Sequence, residues 1–329
     1  MSGRLHHLNF FRRAAVGIHS IHFMKLHLSI TSLAISLIAN HTAIADHGPG
    51  TSGSGFITFS AETLKPGQFS SSFQFDWTEF DSPGGMPEEV DLLDRSFLST
   101  FNVSYGVVEN FQLGLTYGYF SSEGNREFEH GDEVTFDPDG FTDVWLTGKY
   151  RFYQGSAGQF AMLGGIKTPT GDSTLTNSEG EPVEPSATAG TGAWDGLAGF
   201  AYTVPLSATV TLDASAIYTF RGKRHDYRLG DRLDLGTSLA WRVCGDAVTY
   251  PQVSLVAEAT LRHVQKSEEG GADDAATGGT VLFLSPGVKV SFTERLAASM
   301  GVQFPVVQDL NGDQLETDFR LITGISYTF

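Results

Sequence analysis

Apolar and polar residues alternate along most of the chain after residue 68. The last segment, residues 316–329, shows the pattern clearly, because most positions on one face are apolar and those on the other are mostly polar or small. Such alternation predicts a β-strand with one apolar and one polar face. The apolar face carries Phe319, Leu321, Ile325, Tyr327 and Phe329. Its aromatic end is typical of an outer-membrane strand at the membrane interface.

Twelve alternating segments can be placed, each long enough to cross a bilayer as a tilted strand. Alternation alone also suits the edge strand of a soluble sandwich, so it does not decide the fold. The segments centre on residues 69–77, 97–105, 111–119, 144–152, 160–166, 198–204, 210–220, 233–241, 253–261, 282–292, 296–306 and 316–329.

The connections between these segments alternate in length. Short connections lie at 106–110, 154–158, 205–207, 245–250 and 293–295. Longer ones lie at 81–93, 122–140, 168–193, 221–230, 265–279 and 309–315. A barrel with both termini in the periplasm sorts its connections in this way, whereas a soluble sandwich has no reason to do so.

The sequence therefore predicts an all-β fold over residues 68–329. We expect a transmembrane antiparallel up-and-down β-barrel of 12 strands, with short periplasmic turns and longer extracellular loops. The last strand should pair with residues 68–80 and close the barrel.

The N-terminus predicts export. Residues 28–39 form an apolar stretch after Lys25, and an A-x-A cleavage pattern ends at Ala45. Residues 1–45 are therefore interpreted as an N-terminal extension and signal peptide cleaved after Ala45, and Met24 is a possible true start.

Residues 46–67 open the mature chain with a stretch rich in Gly and Ser, which cannot bury a core of its own. Two interpretations stay open for this segment. It is either a periplasmic tail or a plug that folds into the lumen.

Charge and cysteine content exclude several functions. A formal charge of −17 and a pI near 4.9 argue against binding to nucleic acid, which needs clustered Lys and Arg. The single cysteine, Cys244, excludes an intramolecular disulfide framework and a multi-cysteine metal site. No run of eighteen apolar residues outside the N-terminus suits a membrane-spanning helix.

The faces opposite the aromatic ones are the predicted lumen, and they carry charges of both signs. Fixed charges in a lumen can guide polar solutes through a narrow conduit, or they can pair and close a structural barrel. Both alternatives stay open. The candidate lumen-lining residues are Asp76, Asp143, Lys149, Arg151, Lys167, Asp195, Asp213, Arg232, Asp234, Arg242, Glu258, Arg262, Lys289, Asp318 and Arg320.

Histidines give little support for catalysis or metal binding. Those after residue 45 are His47, His130, His225 and His263, and none forms an H-E-x-x-H or H-x-H pattern. We therefore predict no metal and no cofactor. An outer-membrane hydrolase of the lipase or protease type remains an alternative, with His263 as its candidate base, although the His-x-Ser-Asn-Gly motif of outer-membrane phospholipase is missing.

Three stretches resemble an outer-membrane transporter family named for the meta-pathway of phenol degradation. Residues 140–152 resemble its G-x-x-D-[VI] strand, residues 164–172 its K-x-P-T-G-D strand end, and residues 190–195 its G-T-G-x-x-D strand entry. The resemblance implies passage of small, often aromatic or hydrophobic, compounds across the outer membrane. A purely structural interpretation of the motif residues Pro169, Gly171 and Gly192 is that they allow tight bends of the backbone.

Together these features predict a channel or transporter, not an enzyme, in the outer membrane of a Gram-negative cell. Its expected partners are outer-membrane lipid, the barrel assembly machinery and a small-molecule solute that crosses by passive or facilitated diffusion. Phe329 is interpreted as part of a carboxy-terminal signal for assembly.

Overall fold

The computed structural model describes residues 55–81, 94–124, 126–129, 132–178, 180, 188–245, 249–312 and 314–329. The predicted signal peptide and residues 46–54 lie outside these ranges. In the described part of the chain, no helix is long and apolar enough to span a membrane.

The described residues form nineteen strands. Twelve are long, with 11 to 15 residues each, and the other seven have two to four. In chain order they are β1 (Phe69–Asp81), β2 (Arg95–Val108), β3 (Phe111–Glu123), β4 (Arg126–Glu129), β5 (Asp132–Thr135), β6 (Gly140–Phe141), β7 (Val144–Gly155), β8 (Gly158–Thr168), β9 (Asp195–Pro205), β10 (Val210–Phe220), β11 (Lys223–Arg224), β12 (Tyr227–Arg228), β13 (Arg232–Cys244), β14 (Gln252–Val264), β15 (Glu268–Glu269), β16 (Ala272–Asp273), β17 (Gly279–Ser291), β18 (Leu296–Leu310) and β19 (Glu316–Thr328).

The twelve long strands close into an antiparallel barrel. Each pairs with its neighbours in chain order, and β1 pairs with both β2 and β19. At the closing seam Phe73 lies opposite Ile325, and Ser72 lies opposite Ser326. This confirms the predicted fold class and the predicted pairing of the last strand with residues 68–80.

The outward face of the barrel is apolar. Phe200 of β9 and Ile325 of β19 are 61% and 50% exposed. Asp213, which points inward from β10, is fully buried. A soluble protein would show the reverse, so this surface suits lipid. Close aromatic pairs lie near both ends of the strands, for example Phe69–Tyr105, Phe160–Tyr202, Tyr119–Phe141 and Tyr218–Phe220.

The two ends of the barrel differ in their connections. One end, here the short-turn end, carries connections of two to seven residues, such as those between β2 and β3 or between β13 and β14. The opposite, long-loop end carries five connections of 11 to 26 residues and the five-residue connection between β18 and β19. Two of these contribute β11, β12, β15 and β16 to a small four-stranded sheet. Strands of two residues are too short to show a period in sequence, so this sheet was not predicted.

Residues 55–67, here the inner segment, precede β1 and run along the inner wall of the barrel. At the short-turn end, Gly67 N donates to Gly106 O at 2.8 Å and Gly106 N donates to Gln68 O at 2.9 Å. A side chain at position 106 would collide with the carbonyl of Lys65, so only glycine allows this approach. From there the segment reaches the middle of the barrel.

Candidate functional site in the barrel lumen

Glu258, at the middle of β14, holds the far end of the inner segment. Its carboxylate accepts backbone hydrogen bonds from Phe56 N at 3.1 Å, Ile57 N at 3.0 Å and Thr58 N at 2.6 Å. Hydrogen bonds to a charged acceptor are stronger than neutral ones. One buried carboxylate therefore satisfies three successive backbone donors that would otherwise lack partners inside the barrel.

Four more strands hold the rest of the segment through polar side chains. Ser215 of β10 accepts from Phe59 N, Thr203 of β9 accepts from Ala61 N at 2.8 Å, and Gln112 of β3 accepts from Leu64 N at 2.9 Å. Lys149 of β7 donates to Ser60 O at 3.1 Å. These contacts lie on different sides of the wall, so the segment crosses the lumen.

Apolar side chains of the segment pack on apolar patches of the inner wall. Phe59 joins a buried cluster with Trp145, Leu163, Leu197 and Ile217, from β7, β8, β9 and β10. The predicted inner wall was polar and charged, and these residues show that it also carries apolar surface. They sit at inward positions of the same alternation, so their place could have been deduced from it.

The largest ionic cluster lies at the long-loop end. Lys167 bridges Asp143 at 2.8 Å and Asp195 at 2.7 Å, and Arg221 reaches Asp195 at 2.7 Å. All four side chains are at least nine-tenths buried. Alternating positive and negative groups compensate one another, as buried charges require. Arg221 was not among the predicted residues, because it follows the last residue of β10 and falls outside the alternation.

The same cluster joins the three stretches that carry the family resemblance. Asp143 accepts from Gly171 N at 3.0 Å and from Thr191 N at 2.9 Å. Asp195 accepts from Gly222 N at 2.9 Å. The motif aspartates therefore fasten both ends of the connection between β8 and β9 to the barrel wall.

Three further ion pairs, in two groups, lie on the inner wall. Asp234 is shared by Arg232 at 2.5 Å and Arg262 at 2.8 Å. Asp76 and Arg320 join β1 to β19 at 2.5 Å, inside the closing seam. Each of these ion pairs joins residues of one strand or of two neighbouring strands, and none of the three spans the lumen.

The remaining predicted residues take separate places. Asp213 accepts from Thr203 Oγ1 at 2.5 Å, behind the inner segment. Lys289 lines a small cavity beside Phe56. Arg242 donates to Ala208 O, and Arg151 donates to Asn110 and Gln159, both near the short-turn end.

Asp318 differs from the other predicted residues because its side chain is exposed. The pairing of β1 with β19 shifts register at this point: Glu79 lies opposite Phe319, and Phe80 lies opposite Thr317. The shift places Asp318 in a β-bulge between two paired positions, at the long-loop end of the strand. A bulge of this kind cannot be deduced from alternation alone.

Cavities open at both ends of the described structure. At the short-turn end a cavity of about 480 Å³ is lined by Glu62 and Lys65 of the inner segment, together with Arg151 and Arg295. A second, of about 620 Å³, lies among the long loops. Between them the inner segment fills the middle of the barrel.

A comparison with protein families shows which family this chain belongs to. Residues 85–308, more than half of the chain, match the family described as "Putative MetA-pathway of phenol degradation". The chain belongs to this family. The match confirms the resemblance seen in the three motif stretches. No curated protein matches the chain.

The chain is similar to solved structures at low sequence identity. The COG4313 outer membrane channel from Pseudomonas putida F1 superimposes with a TM-score of 0.59 at 14% identity, covering 82% of this chain and 98% of that one. The NanC porin gives a TM-score of 0.43 at 11% identity, with 78% and 98% covered. LpxR from Salmonella typhimurium gives 0.43 at 9% identity, with 79% and 100% covered.

Proposed function

We propose that this protein is an outer-membrane channel through which small, aromatic or hydrophobic molecules cross by passive or facilitated diffusion. One observation carries the proposal. The lumen is closed at its middle by a segment that is not part of the wall, so the obstruction can move while the barrel stays intact. A barrel stabilised only by its own wall would not need such a segment.

The inner wall offers both kinds of surface that such a solute requires. Ion pairs and hydroxyl groups line the long-loop half, and apolar side chains line the region that Phe59 covers. Binding sites for small organic molecules are mostly apolar with a few placed polar groups. A solute with a ring and a polar substituent matches this combination.

The apolar outer face and the two sets of aromatic pairs suit insertion in an outer membrane. In that setting the short-turn end faces the periplasm and the long-loop end faces outward. The predicted export signal before residue 46 supports the same location. Cleavage after Ala45 remains part of the proposal.

The hydrolase alternative finds no support in the contacts of its candidate base. His263 is exposed, and its Nδ1 lies 2.8 Å from Thr280 Oγ1 of the neighbouring strand. A nucleophilic site needs the histidine to hold a nucleophile on one side and an orienting group on the other. We therefore propose transport without covalent catalysis.

Conductance in planar bilayers tests the channel against a closed structural barrel. Mature protein beginning at Asp46 is compared with protein that lacks residues 46–64. We expect severalfold higher conductance for the truncated chain, because the middle of the lumen is vacated. A matched control lacking only residues 46–54 keeps every described contact of the inner segment and should conduct like the mature protein.

Two results would count against the proposal, one against the channel and the other against the role of the inner segment. One is a correctly folded truncated barrel with neither ion conductance nor solute uptake into liposomes. The other is equal conductance for both deletions, which would mean that the inner segment does not set the passage. Folding is checked beforehand by the heat-dependent shift in gel mobility that intact barrels show.

A further inference from the structure

Phe56 occupies a recess in the inner wall that is built for a flat ring. Gly287 of β17 and Gly301 of β18 lie directly opposite each other in the strand register. A Cβ at either position would overlap ring atoms of Phe56. Two facing glycines therefore remove the side chains that would otherwise fill the space, and the ring lies against bare backbone.

Apolar side chains complete the recess. Ala240 of β13, Val256 of β14 and Ile322 of β19 pack with Phe56, and each is less than 5% exposed. Burial of an aromatic ring among such groups is strongly favourable. The recess is thus an apolar slot in a wall that elsewhere carries charges and hydroxyl groups.

The slot continues into a small polar space. A cavity of about 30 Å³ beside Phe56 is lined in part by Gln74, Lys289 and Ser299. This volume holds about one water-sized group. A substituent on the ring can therefore reach hydrogen-bonding side chains without leaving the slot.

We propose that the slot between Gly287 and Gly301 is the binding site for the aromatic ring of a transported solute, and that Phe56 fills it in the resting protein. The inference rests on the proposed channel function and adds the place where the single aromatic ring of the solute binds, with its small polar substituent in the adjoining cavity. Because Phe56 is part of the same chain as the slot, it competes with the solute at an effective concentration in the millimolar range. Solute binding therefore requires withdrawal of the residues that Glu258 holds.

Equilibrium binding tests the site without requiring transport. Benzyl alcohol and its saturated counterpart cyclohexylmethanol are titrated into detergent-solubilised mature protein, and dissociation constants are measured by saturation-transfer NMR. For Phe56→Ala we expect the dissociation constant of benzyl alcohol to fall roughly tenfold or more, because the tethered competitor is gone. The thicker saturated ring should gain far less.

Two further variants sharpen the test. Phe56→Ala combined with Gly301→Ala places a methyl group in the vacated slot and should remove most of the gain. Phe304→Ala is the matched control, since it removes an aromatic ring from the outward face of β18 and should change nothing. If the alanine variant at position 56 does not fold, Phe56→Leu leaves part of the slot open and should show a smaller gain.

Equal affinity of mature protein and Phe56→Ala for benzyl alcohol would overturn the proposal, as would equal gains for both alcohols. The channel function is judged separately from conductance of the truncated chain. Ring binding without conductance would support the proposed binding site and contradict the channel function. Conductance without ring binding would support the channel function and contradict the binding site.

Discussion

At the scale of single residues, Glu258 has the most consequential contacts. A carboxylate buried in the middle of a barrel is costly unless its charge is compensated, and here three backbone N–H groups of the inner segment provide that compensation. The segment in turn has no strand of its own to satisfy those donors. Each partner therefore stabilises the other.

Replacing Glu258 by Gln should loosen the inner segment. The amide oxygen still accepts, but the charge assistance is lost, which costs roughly 1–3 kcal/mol in total. Since 1.4 kcal/mol corresponds to a tenfold change in an equilibrium constant, we expect about a tenfold higher ratio of open to closed time in single-channel recordings. The exposed Glu269→Gln serves as the control, and identical gating in both variants would show that Glu258 does not retain the segment.

The sequence could predict which residues point into the lumen, but not which contacts they make there. The alternation of β14 puts Glu258 at an inward position, and the same pattern gives Asp143 and Lys167. What the pattern does not show is which groups meet, because pairing depends on register and on the path of the inner segment. The contact between Glu258 and Phe56 joins residues 202 positions apart.

At the scale of elements, the connection between β8 and β9 is fastened by the ionic cluster at the long-loop end. Asp143 accepts from both sides of this connection, through Gly171 and Thr191. The family motifs in this chain thus have a structural role in the loop. Pro169 and Gly192, which the sequence suggested for tight bends, lie in the same connection.

Asp143→Asn should release this connection. The variant keeps the size of the side chain but removes the charge that Lys167 faces, at a local cost of roughly 1–3 kcal/mol. We expect severalfold faster cleavage by a glutamate-specific protease, which has its sites within residues 179–184. Asp226→Asn, in a different long loop, is the control. Unchanged cleavage of the Asp143 variant would mean that other contacts suffice to hold the loop.

All twelve barrel strands were predictable because each is long enough to repeat a period of two several times. The seven short strands were not, since two to four residues give no period. The inner segment was left undecided for a related reason. It forms no strand and contains several bends, and most of its long-range hydrogen bonds run to side chains that only the closed barrel brings together.

At the scale of the whole molecule, closure depends on the C-terminus. Phe329 N donates to Phe69 O at 2.8 Å, while the Phe329 side chain is 65% exposed. Its ring packs edge-on against Tyr327 of the same strand end, at 4.8 Å between ring centroids, and its other side faces outward. The role of Phe329 as a feature that the assembly machinery reads stays a prediction.

Deleting Phe329 should lower the amount of folded barrel in outer membranes by severalfold and leave the conductance of each inserted barrel unchanged. The measurement is the heat-modifiable fraction in membrane preparations, followed by single-channel recording. Phe292→Ala, an exposed aromatic at the short-turn end of β17, controls for general loss of interface aromatics. Normal insertion of the chain without Phe329 would show that Phe329 is not part of the assembly signal.

The seam between β1 and β19 also fixes the order in which the molecule can be made. The two strands are the first and last of the barrel, so the ring cannot be completed before the whole chain has been delivered. Contacts so distant in sequence form late. Because the inner segment immediately precedes β1 and is held by side chains of five strands, we expect it to occupy the lumen once the ring is complete.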